Sequence, residues 1–173
     1  MTSYGYLEVN AAAVVLAAGA ATRYGGPKQV ELLPAVLAAL ERSSAGQIVV
    51  VEGAYPLAVT GRASLVRCDE WERGPGASLR CGLAALGDDV THALIVLADG
   101  PTLDPRAIER LLAHAGDAPV VAASYDGTRS HPVVLARAAW NGIPDEGGRA
   151  LDPVLVDCSD LDAPGDVDYR KPR

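Results

Sequence analysis

Residues 11–28 read Ala-Ala-Ala-Val-Val-Leu-Ala-Ala-Gly-Ala-Ala-Thr-Arg-Tyr-Gly-Gly-Pro-Lys, and this stretch decides the fold. Ala11 to Ala17 is a short, unbroken apolar run. Such a run reads as a strand covered on both faces, the pattern of a parallel sheet. It passes directly into a loop holding Gly19, Gly25 and Gly26 with two cations, Arg23 and Lys28. Glycines let backbone N–H groups turn toward an anion. An arginine can fork onto phosphate oxygens, and a lysine adds a point charge. A loop leaving the carboxyl end of a strand is where open α/β sheets bind ligands. The spacing is neither G-x-x-x-x-G-K-[ST] nor G-x-G-x-x-G, so neither of those phosphate-binding patterns applies.

Outward from this stretch the same grammar repeats. Gln47 to Val51 and Ala93 to Ala98 read as further buried strands, Leu65 to Arg67 as a weaker one, and Pro119 to Ser124 and Pro132 to Ala136 as two more, with Gly127 in the turn between them. Val36 to Arg42 and Ala77 to Leu86 read as helices. A third starts at the Asp104–Pro105 pair and runs to about Ala115. Strands alternating with helices predict an α/β fold, three layers deep and Rossmann-like, with a mostly parallel mixed sheet. No repeat or linker divides the chain, so residues 1–173 are expected to form one domain, with a core over about 11–168 and a loose C-terminal tail.

Composition narrows the function. Hydrophobic residues make up 49% of the 173 and charged residues 21%, which is globular usage; with no Phe, the core must rest on Val, Leu, Ile and Ala. The net charge of −7 argues against a nucleic-acid partner, whose backbone calls for a basic surface. No apolar run is long enough for a membrane span, and the polar start lacks a signal-peptide pattern, so a cytoplasmic protein is expected. Cys68, Cys81 and Cys158 show no C-x-x-C spacing. They are read as free thiols rather than a zinc site or a disulfide framework.

Leu16 to Lys28 resembles the L-A-A-G-x-x-x-R-x-G-x-x-K signature of the MobA-like nucleotidyltransferases, and within them the molybdenum cofactor cytidylyltransferases. Four further segments, in the same order, are similar to that family: Val96 to Pro101 (VLADGP), Trp71 to Leu83 (WERGPGASLRCGL), Gly127 to Val133 with Asp145 to Ala150 (GTRSHPV and DEGGRA), and Asp160 to Asp166 (DLDAPGD). The resemblance implies a nucleotide held by Leu16, Ala17, Ala18, Gly19, Arg23, Gly25 and Lys28, and by Gly76, Ser78, Leu79 and Arg80. Ser78 could equally cap its helix. It implies catalytic roles for Arg23, Lys28 and Asp99, an acceptor held by Arg129, His131 and Arg149, and Mg2+ on Asp99 with Asp160 or Asp162. The expected reaction moves CMP or GMP from CTP or GTP to a phosphorylated small acceptor, molybdopterin or its metal-loaded form, with release of pyrophosphate and a possible molybdoenzyme partner. Gly100 stands where the family carries a bulkier residue, and the chain after Lys28 is shorter than usual. That shortening keeps a second reading open, a non-catalytic nucleotide-binding accessory protein or chaperone for molybdoenzyme maturation.

Overall fold

The computed structural model describes residues 8–166. The expected loose tail end, residues 167–173, and most of the polar N-terminal segment lie outside the described residues. The described chain forms β1 (Ala11–Leu16), α1 (Lys28–Glu41), β2 (Ile48–Glu52), β3 (Ala63–Arg67), α2 (Pro75–Ala84), β4 (His92–Leu97), α3 (Pro105–Ala113), β5 (Val120–Tyr125), β6 (Thr128–Ala136) and β7 (Val154–Asp157). The strands make one seven-stranded sheet in the order β3-β2-β1-β4-β6-β5-β7. Every neighbouring pair is parallel except the two that involve β6.

Period-two alternation divides the strand side chains between two faces. Ala13, Val15, Ile48, Val50, Leu94 and Val96 pack with Leu33, Val36 and Leu40 of α1 and Ile108 and Leu111 of α3. Ala12, Val14, Val49, Val51, Ala93 and Ile95 face Leu79 and Leu83 of α2. Helices therefore cover both sides, and the three-layer Rossmann-like fold holds. Among the described residues no helix is long and apolar enough to cross a membrane.

The structure departs from the sequence reading at four places. The first helix starts at Lys28 and not at Val36, and it runs through Pro34. An internal proline costs a helix about 3 kcal/mol. Leu33, Val36, Leu37 and Leu40 are all buried, each contributing roughly 1.5–3 kcal/mol, so packing wins. Strand β6 begins at Thr128 and therefore includes Arg129 and His131, with a cis bond between His131 and Pro132. Strand β7 had no signal, because it is a four-residue edge strand with Val154 and Leu155 exposed. Finally, Cys68 and Cys81 are joined as a disulfide, which corrects the free-thiol expectation. Helix α2 folds back over the end of β3 and brings the two within 5.8 Å at Cα, a proximity that their spacing along the chain does not reveal. Cys158 is a free, buried thiol.

Two local expectations match in detail. Asp104 caps α3, its side chain accepting a hydrogen bond from the Arg106 N–H at 2.8 Å, a contact worth ~1 kcal/mol. Asp126 and Gly127 both have positive φ, the geometry of a tight two-residue hairpin between β5 and β6.

Candidate functional site

Strand β1 lies between β2 on one side and β4 on the other, so the chain reverses its direction of travel across the sheet there. Leu16 and Leu97, the last residues of β1 and β4, are in register. The loops leaving these two strands therefore rise side by side above the sheet edge. Such a reversal leaves a crevice for ligand.

The first loop, residues 17–27, has an ordered polarity. Five successive carbonyls, those of residues 18–22, each accept a hydrogen bond. Ala18 O accepts from Ala54 N at 2.9 Å, Ala21 O from Tyr24 N at 3.0 Å and Thr22 O from Gly25 N at 3.3 Å. Gly19 O accepts from Gln29 Nε2 at 2.8 Å and Ala20 O from the Tyr55 hydroxyl at 3.0 Å. In a planar trans peptide the carbonyl of one residue and the N–H of the next point opposite ways. Fixing the carbonyls of residues 18–22 thus fixes each N–H of residues 19–23 opposite the carbonyl of its own peptide. Among the described residues none of those five N–H groups donates a hydrogen bond. Successive unpaired amides in one loop are donors that can meet an anion. Ala21 (φ 50°) and Gly25 (φ 76°) both adopt the left-handed region as the loop turns, and the Tyr24 hydroxyl donates to Glu31 at 2.7 Å to close it onto α1.

Lys28 is the first residue of α1, and its ammonium sits 2.8 Å from Asp99, just past β4. Both side chains are mostly buried, at 12% and 21% exposed, so bulk water screens the pair only weakly. Arg23 lies exposed on the loop. The structure thus brings Lys28 to Asp99, as the sequence predicted, and leaves Arg23 on the solvent side.

The C-terminal segment supplies another carboxylate, though not one of the two expected. Asp160 is held by Arg110 of α3, which keeps its pKa down to about 2. Asp162 is exposed. Asp166, the final residue of the same motif, approaches Lys28 to 4.0 Å. Thr102 fixes the segment, its N–H donating to Pro164 O at 3.1 Å and its hydroxyl to Ala163 O at 2.6 Å. Gly100 makes room, since a Cβ there would stand 3.0 Å from Pro164. The missing side chain at position 100 therefore lets the tail cross close above the Asp99 turn. Asp99 and Asp166 are hard oxygen donors that both approach the Lys28 ammonium, at 2.8 and 4.0 Å. A small divalent cation that keeps its own waters and is completed by substrate phosphates fits a two-carboxylate set of this kind.

Beside this crevice lies a cavity of about 690 Å³. It is lined by aliphatic residues, among them Ile95, Leu97, Val133 and Leu135, and by Arg129, His131, Arg149 and Asp166. Burial, reinforced by the Arg129 charge, pushes the His131 imidazole from 6.5 down to about 4, so it is neutral at physiological pH. Arg149 is exposed at the mouth. The Arg129 guanidinium instead donates to Leu151 O at 2.7 Å and Gly148 O at 2.8 Å, tying down the turn that carries Arg149.

The α2 residues divide in the same way. Leu79 lines the cavity. Ser78 is buried inside the helix, so it does not cap it; Gly74 occupies the cap position. Arg80 donates to Ile143 O at 2.6 Å and to Asp145 at 2.5 Å. Gly76 packs so tightly that a Cβ would overlap the Pro144 carbonyl at 1.7 Å. Gly76 and Arg80 thus hold the 143–147 turn in place.

Sequence reasoning missed Gln29, Tyr55 and Asp166. Gln29 had a signal: with Leu33, Val36, Leu37 and Leu40 it completes the buried face of α1 at helical spacing, and a polar residue on that face needs a partner. Tyr55 lies in a loop with no motif around it.

Residues 13–150 match the MobA-like NTP transferase domain. No curated protein matches the chain. Several solved structures are similar to it. One is the Rv0371c homolog from Mycobacterium sp. strain JC1, at 24% identity and TM-score 0.76 over 94% of this chain and 92% of that one. A second is Rv0371c from Mycobacterium tuberculosis H37Rv in complex with manganese, at 23% identity and TM-score 0.65, covering 86% and 89%. A third is CMP:2-keto-3-deoxy-manno-octonic acid synthetase complexed with CTP, at 12% identity and TM-score 0.71, covering 92% and 93%. At such identities the likeness establishes a shared fold. The match over residues 13–150 settles the family: the chain belongs to the MobA-like NTP transferases.

Proposed function

We propose that this protein transfers CMP, or alternatively GMP, from a nucleoside triphosphate to a phosphorylated small acceptor, molybdopterin or its metal-loaded form, with release of pyrophosphate. The observation that carries the reading is the row of five successive N–H groups over residues 19–23, unpaired among the described residues, on the loop that leads into Lys28 and its partner Asp99. A polyphosphate laid along that row would meet fixed dipoles and a lysine ammonium. Charge stabilisation of this preorganised kind needs no rearrangement at the moment of reaction.

Asp99 and Asp166 are the side chains that would hold a divalent cation, taken as Mg2+. When bound, it supplies charge neutralisation and Lewis-acid polarisation at the phosphoryl oxygens. One fold neighbour was solved with manganese and another with CTP, which supports a metal–triphosphate pair without fixing either identity here. Lys28 neutralises charge that grows toward the leaving pyrophosphate, and Arg23 is exposed where it can close over the triphosphate. An acceptor phosphate is already anionic at neutral pH, so it can attack the α-phosphorus in line without a strong base. The neutral His131 is consistent with that chemistry. The aliphatic lining suits the flat body of an acceptor, and the exposed Arg149 suits its phosphate.

The test is pyrophosphate release from CTP, GTP and ATP, each with Mg2+ and molybdopterin. Release with CTP, or with GTP in its place, is the expected result. Triphosphate binding with no release in any combination would contradict transfer and favour the accessory reading.

A further inference from the structure

We propose that Gln29 and Tyr55 are positioning residues for the triphosphate, acting through the loop and not by touching the ligand. The role rests on the proposed function above and deepens it.

Of the five carbonyls of residues 18–22, three are held by backbone N–H groups. The other two, on Gly19 and Ala20, are held only by side chains, and these come from separate segments. Gln29 reaches back from the first turn of α1, and Tyr55 reaches across from the loop after β2. Because each peptide is a rigid plane, Gln29 sets the direction of the Ala20 N–H and Tyr55 that of the Ala21 N–H. These are the central amides of the row. Without the two tethers the middle of the row would be free to flip, and a flipped peptide would present a carbonyl oxygen to the phosphates.

The cost of keeping Gln29 in place points the same way. The residue is only 5% exposed, and its Oε1 is buried with no hydrogen-bond partner among the described residues. A buried, half-satisfied amide is disfavoured relative to an apolar residue of the same shape. A leucine at that position of α1 would extend the apolar face already formed by Leu33, Val36, Leu37 and Leu40. What the amide provides and leucine cannot is the donor that holds Gly19 O.

The experiment compares Gln29→Met, Gln29→Glu and Tyr55→Phe with wild type in the pyrophosphate assay, varying triphosphate and acceptor separately, with CTP affinity measured in parallel by calorimetry in Mg2+. Losing one tether should raise KM for CTP about 5–10-fold. Gln29→Glu should exceed Gln29→Met, because a carboxylate repels the Gly19 carbonyl. KM for the acceptor and kcat at saturating CTP should stay within about twofold of wild type. A merely structural role would lower the melting temperature and move both substrates together, or neither, and that result would overturn the proposal. Should the Gln29 variants fail to fold, Tyr55→Phe decides alone, since it removes a single oxygen from a half-buried ring. A wild type that binds CTP without turnover still permits the test through its calorimetric affinity. A wild type that binds neither CTP nor GTP overturns the proposed function and this role together. A wild type that binds, with variants that bind equally well, overturns this role alone.

Discussion

The two halves of the crevice use their polar residues in opposite ways. On the β1–α1 side, the carbonyls of residues 18–22 are all tied down, their amides are unpaired among the described residues, and Lys28 meets Asp99. On the α2–β6 side, two of the three arginines expected to touch substrate are absorbed by the protein itself. Arg80 pins Asp145 and Ile143, and Arg129 pins the 148–151 turn. Only Arg149 stands exposed at the cavity mouth. A motif arginine is therefore no guarantee of a ligand contact. On the reading proposed here, one side of the site receives the anion, and the other is a framework that carries a few exposed groups.

That contrast predicts a graded set of effects. The largest belongs to the receptor side. Asp99→Ala should reduce pyrophosphate release by about 10³-fold or more with little change in melting temperature, and Lys28→Ala should reduce it by roughly 10²-fold while weakening triphosphate binding. Normal rates in either variant would remove the residue from the site. Next come the arginines. Arg149→Ala should raise the acceptor KM by about 10-fold at constant stability. Arg80→Ala should do the reverse, lowering the melting temperature because the 143–147 turn loses its anchor, with only a small effect on kcat. If Arg80→Ala left stability intact and raised KM, the division drawn here would fail.

The smallest effect is a pH dependence. The folded state depresses the His131 pKa from 6.5 to about 4. Its contribution to stability is therefore present above 6.5 and is lost as pH falls toward 4, because the unfolded chain takes up the proton first. His131→Gln should flatten that part of the stability curve, as measured by denaturant unfolding between pH 7 and pH 4. An unchanged slope would show that the imidazole is not held in its neutral form.

Much of the fold was legible because it rests on local rules. The buried runs at Ala11 and Ala93 announced the central strands, and Asp104–Pro105 announced α3. The start of α1 was hidden by Pro34, whose local cost is offset by packing distant in sequence. Strand β7 was hidden by its exposed valine and leucine, and the Cys68–Cys81 pair by a fold-back that no spacing records. In the site, Lys28 and Asp99 were legible from motifs that each follow a strand. For the tail carboxylate the motifs pointed to Asp160 or Asp162; motif order does not show that Arg110 pairs with Asp160 while Thr102 and Gly100 carry the chain on to Asp166, which comes within 4.0 Å of Lys28. The tethers Gln29 and Tyr55 were invisible as chemistry. They act on backbone carbonyls, and a sequence does not display which way its peptides face.

A crystal structure of the protein with CTP and Mg2+ tests the central claim most directly. The account predicts triphosphate oxygens within hydrogen-bond distance of the N–H groups of residues 19–23, with Lys28 drawn from Asp99 onto phosphate and the cation between Asp99 and Asp166. A triphosphate seated elsewhere, with the Lys28–Asp99 contact still closed and the loop amides facing only water, would contradict it.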